Sequence, residues 1–138
     1  MRASEVIQDD VTQVVSDDLF EMANLRQNQT GIAGTIYIST QQASHGPRVK
    51  YYVNRPGAGV PYFSVSIEPT PAIVENSLPQ NIVSRMSPQV IEWVKLNHDK
   101  LRNFWFKGTT WFDDEVTAFK DSLAKLPSRR ERRQSPRT

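Results

Sequence analysis

The segment that most constrains the fold is residues 87–108, which carries both ends and the apolar stripe of a long helix. Ser87 can cap this helix, and Pro88 suits its first turn, where a missing N–H is harmless. Gly108 is placed to end it in a left-handed conformation. Apolar residues recur at helical spacing, namely Val90, Val94, Leu101 and Trp105, widened by Trp93, Leu96 and Phe104. We therefore predict an amphipathic helix of about five turns that covers an apolar surface.

Two polar residues, Asn97 and His98, interrupt the stripe of this helix. A buried amide without hydrogen-bond partners costs about 1–3 kcal/mol, so Asn97 needs partners. In a functional interpretation Asn97 contacts a ligand or a partner protein. In a structural interpretation it ties the helix to neighbouring backbone. We favour the structural interpretation, because buried polar groups usually have hydrogen-bond partners within the fold.

Strand signals precede the helix. Three segments are rich in β-branched and aromatic residues that alternate with period two: residues 35–40, 48–53 and 62–68. The short connections between them favour an antiparallel meander. A further helix is predicted to start at Thr110 or Asp113 and to end before Pro127. The pattern thus predicts an α+β fold, in which three or four antiparallel strands are covered on one face by the long helix.

The chain divides into three predicted parts. Residues 1–28 are predicted to form an acidic N-terminal helical arm, residues 29–126 the α+β domain, and residues 127–138 a disordered basic tail. Within the domain, residues 69–86 are marked by prolines. They are predicted to be irregular, apart from a short helix at residues 80–86.

The net charge of +2 hides an uneven distribution. The first thirty residues hold six acids and two bases, whereas residues 127–138 hold five arginines and one glutamate. Such asymmetry indicates a nucleic-acid partner or a contact between the two ends of the chain. The absence of cysteine excludes disulfides and thiolate metal sites. No secretory or membrane-spanning pattern is present, so we expect a cytoplasmic protein with no membrane partner.

Alternation along the strands predicts one apolar and one polar side of the sheet. The apolar side carries Ile36, Ile38, Val49, Tyr51, Val53, Phe63, Val65 and Ile67. On the polar side, Arg48, Lys50 and Tyr52 project together, with His45 in the preceding loop. Tyr37 and Tyr62 lie on the adjacent strands, and such a mixture resembles platforms that bind single-stranded nucleic acid. A solvated, edge-protecting surface is the ordinary alternative. A surface covered by the acidic arm, within one subunit or across a dimer, is another.

The sequence contains no catalytic or cofactor motif. The only two histidines, His45 and His98, do not stand at metal-ligand spacing. Neither a Gly-x-Ser-x-Gly elbow nor a phosphate-binding glycine loop is present. The acids at residues 113–115 are explained by a helix N-terminus. We therefore predict no metal, no cofactor and no catalytic residue.

Two motifs resemble a group of small uncharacterised bacterial proteins from compact, toxin–antitoxin-like operons. The first is His-Gly-Pro-Arg-Val-Lys at residues 45–50. The second is Trp-Val-Lys-Leu-Asn-His-Asp-Lys-Leu at residues 93–101, followed by an aromatic pair at residues 104–105. The similarity spans residues 24–106 and brings no established activity. It implies one shared site, made of His45, Arg48, Lys50, Asn97 and His98.

Together these patterns predict a non-enzymatic binding or regulatory module whose partner is a nucleic acid or a protein. A homodimer formed through the N-terminal arm is part of this prediction. One alternative is a hydrolytic or nuclease-like toxin with His45 and His98 as acid and base, which requires both histidines to reach one substrate. Another alternative is a structural subunit that binds a partner protein.

Overall fold

The computed structural model describes residues 22–40 and 46–127. Three predicted features lie outside these described residues: the N-terminal arm as far as residue 21, His45, and the basic tail from residue 128 onward. The predictions for these parts of the chain therefore stay predictions.

A five-stranded antiparallel sheet forms the centre of the fold, and each strand pairs with its neighbours in sequence. The strands are β1 Met22–Leu25, β2 Thr35–Ser39, β3 Arg48–Tyr52, β4 Phe63–Ser66 and β5 Ile73–Asn76. The predicted α+β class and antiparallel meander are confirmed. The sheet has five strands instead of the expected three or four.

The first and last strands are the ones that the sequence patterns do not predict. Residues 22–25 fall in the predicted helical arm, and the prediction is wrong for them. Ala23 and Leu25 point into the core, and pairing with β2 outweighs the weak local preference for a helix. β5 lies in the segment predicted to be irregular. All four of its residues are exposed, so it shows no alternation of apolar and polar residues.

Two consecutive helices replace the single predicted long helix: α2, Gln80–Leu96, and α3, His98–Lys107. A short helix α1, Gln27–Thr30, precedes them in the chain. The predicted start at Ser87 is wrong, because α2 includes the segment expected to be a separate short helix and Pro88 lies inside it. Pro88 cannot donate to the carbonyl of Ser84. Ser84 and Pro88 are both exposed, so the missing hydrogen bond lies on the surface side of α2.

Gly108 ends α3 in a different way from the one expected. Its φ of −60° and ψ of −26° are right-handed, and it opens a 3-10 turn, Gly108–Thr110. A Cβ atom at this position would lie 2.6 Å from Thr40 Cγ2 and 2.9 Å from Phe104 Cδ1. Glycine is therefore required here by the close approach of the helix end to the end of β2, and not by a left-handed turn.

The helices cover the apolar face of the sheet. α2 contacts β4, α3 contacts β2, and the last helix, α4 Asp113–Ser122, contacts β1. The predicted core positions of the sheet are buried, except Val53, which is 39% exposed beyond the end of β3. Phe104 of α3 stacks on Phe119 of α4 with ring centroids 4.6 Å apart. No helix in the described part of the chain is both long and apolar enough to span a membrane.

The C-terminal end of the domain returns to its beginning. The backbone N–H of Leu126 donates to the Thr30 carbonyl at 2.8 Å, and the Leu126 side chain is buried. Gly31 ends α1 with a left-handed φ of 81°, and a Cβ there would collide with the Leu126 carbonyl. The chain segment after α4 thus closes the fold against α1.

Candidate functional site

The polar face of the sheet carries a row of four aligned side chains. Tyr37 on β2 pairs with Lys50 on β3, Lys50 pairs with Ser64 on β4, and Ser64 pairs with Glu75 on β5. Residues that are directly opposite in an antiparallel sheet have Cβ atoms about 4.5–5.5 Å apart. The meander therefore places polar side chains from four strands in one row across the sheet.

Lys50 lies at the centre of this row and contacts two aromatic rings. Its Nζ is 4.8 Å from the centroid of the Tyr62 ring and 5.9 Å from that of Tyr37. Both distances are within the range of cation–π attraction. All three side chains are only partly buried, and Lys50 forms no ion pair with a carboxylate of the described residues. The cluster thus combines a positive charge with two partly buried aromatic rings.

Arg48 forms an ion pair with an acid on the edge strand. Its Nη1 is 3.2 Å from Glu75 Oε1, and the same oxygen accepts a hydrogen bond from Ser64 Oγ at 3.1 Å. Partial burial pushes the pKa of Glu75 upward. Hydrogen bonds from Ser64 and Tyr62, together with the charge of Arg48, outweigh burial and hold that pKa below its usual value. Glu75 is therefore ionised at neutral pH and offsets the charge of Arg48.

Tyr52, predicted to project on the same side of the sheet as Arg48 and Lys50, is buried on that side. It is only 5% exposed, and its ring packs between Tyr37 at 6.4 Å and Tyr62 at 5.5 Å. Burial is the main cause that raises its pKa, so its hydroxyl stays protonated. Tyr52 supports the two outer tyrosines and offers no open surface of its own.

Asn97 has a structural role, as favoured from the sequence. It is 3% exposed and stands between α2 and α3. Its Nδ2 donates to the carbonyls of Trp93 at 3.1 Å and Ala124 at 2.9 Å, while its Oδ1 accepts from the N–H of Ala124 at 2.8 Å. These three bonds use most of the hydrogen-bonding capacity of the amide and fix the chain after α4 to the helix junction.

His98 lies beside Asn97 at a shallow concavity of about 460 Å³ that Pro69 and Ala124 also line. Its Nδ1 is 2.9 Å from Asp99 Oδ1, and its Nε2 has no hydrogen-bond partner among the described residues. This junction belongs to the helical layer on the core side of the sheet.

The structure does not bring all the predicted site residues together. Arg48 and Lys50 share the polar face of the sheet, whereas Asn97 and His98 lie in the helical layer that packs on the opposite face. His45 lies outside the described residues, so the two-histidine alternative stays a prediction. The single site implied by the resemblance is not formed by the four members that are described.

Glu75 is the member of the polar-face cluster that sequence reasoning missed. Its strand has no alternating pattern, and its partner Arg48 is 27 positions earlier in the chain. The only local signal is the β-branched pair Ile73-Val74, placed between prolines. Within the described ranges, no three His, Asp or Glu side chains converge as a metal site would require.

Comparison with known proteins identifies no relative. The chain matches no protein-family model, no curated protein and no solved structure. The resemblance to the bacterial operon group, the cytoplasmic location and the homodimer therefore stay predictions.

Proposed function

We propose that this protein is a non-enzymatic binding module that takes single-stranded nucleic acid on the polar face of its sheet, centred on Lys50. The observation that supports the proposal is the contact of Lys50 Nζ with the rings of Tyr62 and Tyr37, at 4.8 and 5.9 Å. Tyr37 and Lys50 are cross-strand partners on β2 and β3, and Tyr62 directly precedes β4, so the sheet backbone positions all three groups.

The chemistry of this cluster matches the needs of a single strand. Exposed bases stack on aromatic side chains, and each stacked base contributes about 1–3 kcal/mol. A lysine ammonium between two such rings can contact the phosphate that links successive bases. The buried ring of Tyr52 packs against the rings of Tyr37 and Tyr62 and so supports their positions. Recognition of this kind is tolerant of sequence, since every base presents an aromatic face.

Glu75 sets the direction of the ligand across the sheet. Its carboxylate lies on the β5 side of Lys50, is 45% exposed and repels phosphate. Arg48 on that side is already paired with it. On the other side of Lys50 the row continues through Tyr37 on β2 to Asn24 on β1, and neither residue is an acid. The favoured path of the strand therefore leads from Lys50 towards the β1 edge.

The test is fluorescence anisotropy with labelled DNA and RNA single strands of about 15 nucleotides at low salt. Tyr62→Leu removes a ring, whereas Tyr62→Phe keeps it. We expect Tyr62→Leu to weaken binding about 5- to 150-fold, the equivalent of one stacked base, and Tyr62→Phe to retain most of the affinity.

Lys50→Gln is expected to weaken binding, and Lys95→Gln, at an exposed position on α2, serves as its charge-matched control. The proposal would be overturned by wild-type protein that binds neither strand, or by equal losses in the two lysine variants.

A further inference from the structure

A concavity of about 850 Å³ lies at the end of the sheet where β1 leads into α1 and β3 leads into the loop before β4. It is separate from the junction at Asn97. The polar side chains that line it are Asn24, Arg26, Gln27, Thr35, Asn54 and Arg55.

The chemistry of this lining is cationic and amide-rich. Arg26 and Arg55 approach from different loops, and no described acid lines the concavity. Both arginines are exposed, and neither forms an ion pair with a described carboxylate. A guanidinium presents a planar fork of N–H donors that matches phosphate oxygens, and the amides add neutral donors. A phosphate group is the ligand that such a lining fits best.

The concavity borders the cluster around Lys50. Asn24, which lines it, is the cross-strand partner of Tyr37. Thr35, which also lines it, is the partner of Tyr52. Residues two apart on a strand share a face and are about 7 Å apart, so Thr35 lies one step from Tyr37. The loop before β2, which borders the concavity, is fixed by the Tyr51 hydroxyl, which donates to the Ala33 carbonyl at 2.5 Å.

We infer that this concavity binds a phosphate group through Arg26 and Arg55. The assignment of that phosphate to the backbone of a single-stranded nucleic acid rests on the proposed function. The strand then passes from the tyrosines beside Lys50 into the concavity, on the side of the sheet that is away from Glu75. The concavity supplies electrostatic affinity, and the tyrosine cluster supplies stacking.

The first experiment measures the anion site by itself. Arginine Nε–Hε signals of the full chain are followed by NMR while sodium chloride is replaced by sodium phosphate at constant ionic strength. We expect the Arg26 and Arg55 signals to shift in a saturable manner, and those of Arg85 and Arg102, which are exposed on α2 and α3, to stay in place. Equal, non-saturating shifts of all four signals would overturn the inference.

The second experiment connects the site to nucleic acid through the salt dependence of binding. Each phosphate contact on a single strand adds about 0.7 to the slope of log K against log salt concentration. The double variant Arg26→Gln/Arg55→Gln is expected to lower the slope by about 1.4, the value for two lost contacts. The charge-matched control, Arg85→Gln/Arg102→Gln, is expected to keep the wild-type slope.

The outcomes separate the two proposals. An unchanged slope in a double variant that still binds the strand would overturn the phosphate subsite and leave the Lys50 platform in place. Saturable phosphate shifts in a protein that binds no oligonucleotide would support the anion site and overturn the proposed function. Circular dichroism of both double variants checks that the fold is intact.

Discussion

The side-chain amide of Asn97 forms hydrogen bonds with both the backbone N–H and the backbone carbonyl of Ala124. Its Nδ2 donates to the Ala124 carbonyl at 2.9 Å, and its Oδ1 accepts from the Ala124 N–H at 2.8 Å. A third bond joins Nδ2 to the Trp93 carbonyl at 3.1 Å. A polar residue that interrupts an apolar helical stripe thus connects the helix junction with the C-terminal segment.

We expect Asn97→Ala to destabilise the protein by about 2–4 kcal/mol. The variant loses three hydrogen bonds worth about 0.5–1.5 kcal/mol each and leaves the N–H and carbonyl of Ala124 without their partner. Urea unfolding measures the difference. His98→Ala, a change at the adjacent and less buried position, is the control and is expected to cost less. A free energy of unfolding of Asn97→Ala within about 0.5 kcal/mol of wild type would contradict this role.

Gly108→Ala separates two explanations for the glycine at the end of α3. Its right-handed φ of −60° would let alanine stabilise the helix end by about 0.5–1 kcal/mol if backbone freedom alone mattered. The close contacts with Thr40 and Phe104 predict the opposite, a loss of about 1–3 kcal/mol through overpacking. Thermal or urea unfolding gives the sign. Gly46→Ala, where a Cβ meets no atom of the described residues within 4 Å, is expected to be nearly neutral.

The ion pair of Glu75 predicts a dependence of stability on pH. Because the folded pKa is lowered, ionised Glu75 stabilises the fold above its ordinary pKa of 4.5, and this contribution is lost as the pH falls through the folded pKa. Glu75 is 45% exposed, so solvent screening keeps the effect small. We expect Glu75→Gln to be less stable than wild type at neutral pH, and the difference to shrink as the pH falls below 4.5 and through the folded pKa.

Urea midpoints of wild type and Glu75→Gln at several pH values measure this effect. Glu92→Gln, at an exposed position on α2, is the control and should show no such convergence. A difference between wild type and Glu75→Gln that is the same at neutral and acid pH would rule out the ionised pair as its source.

The sequence predicts the parts of the fold that depend on local periodicity. Alternation along β2, β3 and β4 assigns the two faces of the sheet correctly, because period two follows directly from strand geometry. The predicted C-terminal helix is likewise present as α4, and Val116 and Phe119 on it are buried. The structural interpretation of Asn97 is confirmed by its three hydrogen bonds. It could be predicted because a buried amide without partners is costly in any fold.

The remaining features depend on contacts between distant residues. β5 pairs with β4 although its residues are all exposed, so no hydrophobic pattern marks it. Tyr52 packs against Tyr37 on β2 and Tyr62 just before β4, both distant from it in sequence. The break between α2 and α3 coincides with a bond to Ala124, 27 positions later. No local sequence pattern indicates these contacts, because each joins residues that are far apart in the chain.

The order of the strands in the sheet has a consequence for how the chain folds during synthesis. Every strand pairs with a neighbour in sequence, so the sheet can grow hairpin by hairpin as residues 22–76 leave the ribosome, with little loop-closure entropy at each step. The bond from Leu126 to Thr30 joins the two ends of the domain. We expect α2 and α3 to cover the apolar face at β4 and β2 first, whereas the part at β1 stays uncovered, and prone to aggregation, until α4 and Leu126 have emerged.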